Sequence, residues 1–188
     1  MHDLEPHFTW RGLYRAEDDE RSPFYGREYS EFHFTHAVYN HYIHPQWDEF
    51  GSSTLYGKIL YADYHNEFAI IELIGEWNDI LHNDIMHLKR EVLDVLIEEG
   101  IRNFIILGEN VMNAFPNEDD YYAEWYEDTE DGFIAFVNFR EHVIREFRQY
   151  GIGNYVHWGG ELDELAWRPL KPEALFKKIS DIVHRRLG

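Results

Sequence analysis

Ile70-Ile71-Glu72-Leu73-Ile74-Gly75-Glu76 runs from apolar residues into glycine and then glutamate, and the form recurs at Phe104-Ile105-Ile106-Leu107-Gly108-Glu109 and Tyr155-Val156-His157-Trp158-Gly159-Gly160-Glu161. A short apolar run closed by glycine reads as a buried strand ending in a turn. Long amphipathic segments separate the three runs, so the expected framework is a βαβ-type sheet. Its strand ends would present Glu76, Glu109 and Glu161 on one edge, where open α/β folds bind ligands. The spacing is irregular, which points to a shared turn and not to a duplicated unit.

Working outward, Thr54 to Tyr64 is rich in β-branched and aromatic residues. Only His65-Asn66-Glu67 separates it from the strand 68–77, which predicts an antiparallel hairpin. Asn78 or Asp79 can cap a helix in which Leu81, Ile85, Leu88, Val92, Val95 and Leu96 form one stripe, and Gly100 stops it. After the strand 103–107, Pro116-Asn117 opens a short helix carrying Tyr121, Tyr122, Trp125 and Tyr126, and a second helix is expected from Thr129 to Gly132 through Tyr150. Glu164 to Arg168 reads as an edge strand, and Pro172 opens a terminal helix with Leu175, Ile179, Ile182 and Val183 inward. Residues 1–30 lack a period and read as an arm or loop, while Glu31 to Tyr42, where Phe32 and Phe34 alternate with polar groups, reads as a strand. The expected fold class is α/β: a mixed β-sheet with helices packed against it, an N-terminal arm and an extra strand, with residues 31–188 as a single domain.

The 188 residues include 36 acids against 17 lysines and arginines, a formal charge of −19. Such a field repels nucleic-acid phosphate and anionic membrane surfaces, so neither is an expected partner. Absence of cysteine excludes disulfides, thiolate zinc sites and a cysteine nucleophile. Met1-His2-Asp3-Leu4-Glu5-Pro6 is acidic and lacks the apolar core of a secretory signal, and no run is apolar over the roughly 20 residues of a membrane span, so a cytoplasmic location is expected. Aromatic residues make up 17% of the chain, a load that leaves rings for interfaces, and a homodimer is therefore expected.

Within the expected helix 129–150, Arg140 falls in the middle of the stripe Phe133, Phe136, Val137, Val143, Ile144 and Phe147. A guanidinium there needs a partner. It either pairs with Glu76 or Glu109 as a structural ion pair, snorkels to water, or receives an anionic ligand group. Glu76, Glu109, Asn110 and Glu161 are oxygen donors and His157 a nitrogen donor, but their spacing is not diagnostic of a metal, and no metal or cofactor is assigned. An acid held by Arg140 and another desolvated by Trp77 or Trp158 would form the pair a carboxylate hydrolase uses. His33, His36, His41 and His44 share no strand or helix face. Tyr121, Tyr122, Trp125 and Tyr126 lie among Asp119, Asp120, Glu124, Glu127 and Asp128, a mixture able to dock a basic partner or, alternatively, to cover the core. Phosphate-binding glycine loops, Gly-x-Gly-x-x-Gly and Gly-x-Ser-x-Gly are missing.

The order strand, strand, helix, strand, helix, strand, helix over residues 54–188 resembles the STAS or SpoIIAA-like domain. That resemblance implies a small mixed sheet covered by helices and a regulatory or binding role, in some members switched by phosphorylation of a serine after the third strand. Here that place reads Gly108-Glu109-Asn110-Val111-Met112-Asn113, without serine or threonine. The expected function is a cytoplasmic, non-enzymatic binding or regulatory module for a protein partner or small ligand, with Glu76, Glu109, Asn110, Arg140, His157 and Glu161 as ligand-binding candidates. Tyr121, Tyr122, Trp125 and Tyr126 are the partner-binding candidates. The alternative is a metal-assisted or carboxylate-based hydrolase at the strand C-terminal ends.

Overall fold

The computed structural model describes residues 2–188. Three short strands, β1 (His2–Leu4), β2 (His36–Val38) and β3 (His41–Ile43), form a small sheet in the order β1-β3-β2. The main sheet has four strands, β4 (Leu55–Asp63), β5 (Phe68–Asn78), β6 (Asn103–Phe115) and β7 (Ile134–Val137), in that order. β4 and β5 form the antiparallel hairpin the short connection demands, while β5, β6 and β7 run parallel. His157 extends the sheet beyond β7, its N–H donating to Ile134 O and its carbonyl accepting from Phe136 N, both at 2.8 Å. The architecture is thus the expected mixed α/β one.

Period-two alternation along β5 divides the core. Ala69, Ile71, Leu73 and Trp77 face one layer with Leu88, Leu96, Tyr122, Trp125 and Phe147. Phe68 and Ile70 face the other, with Trp10, Trp167, Leu175, Ile179 and Val183. The first layer is built by α1 (Asp79–His82), a helical rod through α2 (Asp84–Leu88), a π turn at Lys89–Leu93 and α3 (Asp94–Glu98), then α4 (Asp120–Asp128) and α5 (Glu141–Gln149). The second is α6 (Pro172–Leu187), whose expected inward residues are all buried. Residues 5–24 lie on this fold through buried Trp10, Ala16 and Phe24. Arg21 adds an ion pair to Glu99 at 2.5 Å.

Asn78 caps α1, its Oδ1 accepting from Leu81 N at 2.9 Å. In the π turn, fully buried Lys89 donates from Nζ to Asp94 and, at 2.7 Å, to Asp128. A π turn inserts one residue into the helical ladder and re-aims neighbouring side chains. Lys89→Met is expected to lower stability by about 1–2 kcal/mol in urea melts, less than for a sealed ion pair, because both acids are partly exposed and can rehydrate. A loss above about 4 kcal/mol would mean that the acids cannot reach water.

Five expectations are corrected. The helix expected from Asn78 to Gly100 is broken at left-handed Asn83 (φ 53°), so α1 is a separate turn, and Leu81, expected in the apolar stripe, is exposed. The helix 129–150 is two elements: Phe133 to Val137 is buried and includes β7, the last parallel strand of the main sheet, covered on both faces, and α5 begins only at Glu141. Positions 133, 136 and 137 fit a helical stripe, but a continuous apolar run fits a doubly covered strand equally, and left-handed Asn138 (φ 56°) breaks the backbone between the two. Gly75 and Gly108 do not end their strands; β5 and β6 continue to Asn78 and Phe115 through register shifts, bulges that absorb the glycines. Glu164 to Arg168 is a loop, fixed by Asn138, which accepts from Leu165 N at 2.7 Å and donates to Leu165 O at 2.8 Å. Glu31 to Tyr42 is not one strand: Phe32 is exposed, and the segment turns back on itself as the short β2–β3 hairpin, whose β3 also pairs with β1.

Candidate functional site

Beyond the carboxyl ends of β7 and of the His157 bridge, α5 and the loop 158–164 enclose an open cleft of about 460 Å³. Phe139, Ile144 and Trp158 supply its apolar wall, and Arg145, Arg148, Glu141, Asp163 and Glu164 its charged rim. Gly108 seats the aromatic wall: a Cβ there would stand 2.2 Å from the Phe139 ring, so only glycine lets β6 pass beneath it. Trp158 lies against Gly153 in the same manner, with 3.0 Å to a Cβ at that place. Asp163 Oδ1 accepts from Gly159 N at 3.0 Å, and Arg145 stands 3.7 Å from Glu141. The result is a half-apolar basin rimmed by both signs of charge, at the place where open α/β sheets bind ligands.

On the opposite face, Glu72 points from β5 into the layer beneath residues 7–10. Its Oε2 accepts from His7 N at 2.9 Å, and Oε1 lies 3.4 Å from Asn110 Nδ2. Burial pushes its carboxyl up to about 7, although the His7 hydrogen bond and the Arg168 charge oppose the shift. Nearby Glu109 is held the other way: burial alone would raise it, but bonds from Trp167 Nε1, Asn138 and Arg168 outweigh burial and keep it below the ordinary carboxylate range. Arg168 pairs with Glu109 at 2.9 Å and stacks on Trp167 with 4.6 Å to the ring centre. The His7 ring meets Trp10 and Trp167 edge-on, and burial lowers its pKa.

A second pair of buried acids joins β5 to α2. Asp79 accepts from Trp77 Nε1 at 3.0 Å, Ile85 N at 2.8 Å and Tyr122 Oη at 2.7 Å. Asp84 accepts from Asn78 N at 2.8 Å and Thr54 Oγ1 at 3.2 Å. Burial raises both carboxyls. Each acid is engaged in tying strand to helix and opens on no cleft.

The three glutamates of the sequence motif take separate partners. Glu76 accepts from Tyr39 Oη and from Asn78 Nδ2 at 2.9 Å. Glu109 belongs to the Trp167–Arg168 group, and Glu161 pairs with Arg185 at 2.8 Å. Arg140 is not in an apolar stripe but exposed at the start of α5, its Nε donating to the Glu109 carbonyl at 3.2 Å. His157 is half-buried as a sheet residue, its pKa lowered by burial and by Arg186. Asn110 reaches the side chain of Glu72 in the Glu72–Glu109 group. In α4, Tyr122 and Trp125 are fully buried in the core and Tyr126 is exposed, while Arg90 lies over the Tyr121 ring at 5.3 Å. His36 contacts Glu49, and among the described residues no group of three His, Asp or Glu side chains is disposed to hold a metal ion.

Sequence reasoning passed over Glu72, Lys58, Arg145 and Arg148, and took Trp158 only as a ring that could desolvate an acid. For Glu72 and Lys58 a signal existed, a charge inside an otherwise apolar strand, which obliges the fold to supply partners. For the cleft the signal was weaker: Arg145 and Arg148 are three apart on one helical face. Among the described residues no helix is long and apolar enough to cross a membrane. Comparison with protein-family models and with curated proteins finds no match.

Proposed function

We propose that the protein is a cytoplasmic, non-enzymatic binding or regulatory module whose ligand occupies the cleft walled by Phe139, Ile144 and Trp158. The observation that carries this reading is the cleft itself: about 460 Å³, an aromatic wall, and arginines facing acids across its mouth. Such a lining suits a small, partly planar molecule bearing both charge signs. The acids whose pKa is most displaced, Glu72, Asp48 and Asp79, are buried away from it and engaged in structural bonds. A binding role also accords with what the STAS or SpoIIAA-like resemblance implies, and the exposed rings of Tyr39, Tyr126 and Phe115 offer surface for a homodimer.

Calorimetric titration with a panel of aromatic amino acids and related zwitterions tests the reading. Arg148→Ala and Trp158→Ala are each expected to weaken any panel member that binds by tenfold or more, roughly 1.4 kcal/mol. Equal affinity in wild type and both variants would remove the cleft from consideration.

One observation favours a second reading, a carboxylate-based hydrolase: buried Glu72 and partly exposed Glu109 lie in one polar group with pKa values pushed apart, the pattern of an acid and an ionised partner. Residues 7–10 cover Glu72, so this reading needs them displaced. Hydrolysis of an activated ester or glycoside that Glu72→Gln and Glu109→Gln both abolish would select it.

A further inference from the structure

Between residues 7–17 and β4 lies a small cavity of about 10 Å³, to whose lining His7, Arg11, Glu17 and Lys58 contribute. Four of its residues carry buried polar atoms that lack a hydrogen-bond partner: Lys58 Nζ, Arg11 Nη2, Glu17 Oε2 and His7 Nε2. Lys58 is the most deeply sunk, its side chain only 8% exposed. Its Nζ stands 4.0 Å from Glu17 Oε2 and 3.8 Å from Asp48 Oδ2, in ion-pair range but beyond hydrogen-bond reach, and 4.0 Å from the centre of the Tyr29 ring. Arg11 Nη2 is likewise 3.6 Å from Glu5 Oε1. Glu17 Oε1, by contrast, is fully engaged by Arg15 at 2.9 and 3.0 Å.

We propose that this cavity is a built site for one ordered water molecule, which accepts from Lys58 Nζ and Arg11 Nη2 and donates to Glu17 Oε2 and His7 Nε2. Leaving four such atoms unsatisfied would forfeit the hydration of each without compensation, the charged ones most of all. A buried water needs about one probe sphere of space and two to four polar partners, and both conditions hold here. The donor count selects water over an ion. A chloride would meet two cations but also the unpaired oxygen of Glu17, and a metal cation would meet Lys58 and Arg11. Water has two protons and two lone pairs for the two acceptors and two donors. Burial lowers the His7 pKa and so favours the neutral ring that an acceptor nitrogen requires, and acceptance at Nε2 leaves the proton on Nδ1. Burial alone would raise Glu17; its backbone hydrogen bond with the Lys58 and Arg15 charges outweighs that and keeps it an ionised acceptor.

The site would also join two polar groups that are otherwise separate. The His7 ring faces the water while its backbone N–H holds Glu72, so the molecule links Lys58 on β4 to the Glu72–Glu109 group across β5 and β6. A crystal structure at better than about 1.5 Å, grown with bromide as the only halide, tests the proposal. One spherical peak with four contacts near 2.7–3.1 Å and no bromide anomalous signal is expected. A bromide peak, a cavity without density, or a direct Lys58–Glu17 hydrogen bond that closes the space would overturn it. In solution, long-range ¹⁵N–¹H correlation of the imidazole is expected to report His7 as the Nδ1–H tautomer. An Nε2–H tautomer would contradict the assignment of donors and acceptors.

Discussion

Gly75→Ala is expected to lower stability by about 4 kcal/mol, enough to unfold a marginal domain. Gly75 sits in β5 at φ +117°, where a side chain is strained whatever the space, and a Cβ would stand 2.0 Å from the carbonyl oxygen of Thr54. That oxygen is backbone, and it accepts from Glu76 N at 2.9 Å, so it cannot withdraw without opening the junction between β4 and the bulged part of β5. Gly100→Ala is the internal control. Gly100 is also at positive φ (+98°), yet nothing lies within 4 Å of its Cβ position, so only the conformational cost of about 1 kcal/mol should appear. Urea melts of the two variants separate the terms: similar losses for both would mean that the Thr54 contact relaxes freely.

The second large effect is a stabilising one. Glu72→Gln is expected to raise stability at pH 8 by an amount on the order of 1–3 kcal/mol and to change little at pH 5. Glu72 is buried, and its folded pKa of about 7 stands above the ordinary value of 4.5. The native state therefore holds more protons than the unfolded chain between about pH 4 and 7, and stability falls as pH rises through that window. Asp48 and Asp79, each raised by burial to about 6, act in the same direction. Glu109, Glu17 and Asp94, whose pKa values are lowered, act in the opposite one, contributing stability that is lost as pH falls. Comparing wild type with Glu72→Gln isolates one group from that sum. Glutamine keeps an oxygen to accept from His7 N, so the variant removes the charge and not the bond. Equal gains at pH 5 and pH 8, or a loss at pH 8, would show that Glu72 stays ionised throughout.

Much of the frame could be read in the residues because its signals are periodic. The hairpin 54–77, the helical rod from Asp84 to its stop at Gly100 and the terminal helix from Pro172 each combine an apolar period with a punctuating residue, whereas the break at Asn83 that leaves Leu81 exposed went unread. The segment 129–150 misled for an equally physical reason: Phe133, Phe136 and Val137 satisfy a period of 3.6, while Phe133 to Val137 as a whole also satisfies a strand covered on both faces. Only Asn138 marks the break, and a single asparagine tolerating a left-handed backbone is a faint mark. Losing that helix moved Arg140 from core to surface and with it the expected pairing.

The site was less legible than the frame. Its wall comes from Phe139, just after β7, and Trp158, just after the His157 bridge, residues nineteen positions apart that only the parallel order of the sheet brings together. Gly108, read as the end of a strand, instead lets the Phe139 ring lie on β6. The glycine-glutamate likeness among the three runs was a likeness of composition: Glu76, Glu109 and Glu161 go to Tyr39, Trp167–Arg168 and Arg185 respectively.

Amide and indole chemical-shift mapping of the ¹⁵N-labelled protein against the zwitterion panel addresses the central claim most directly. Ligand-induced shifts are expected to gather at Phe139, Ile144, Arg145, Arg148, the Trp158 indole and Gly159, and to vanish in Arg148→Ala. Shifts centred instead on His7 and Glu72, or on the exposed face of α4 around Tyr126, would contradict the cleft as the ligand site.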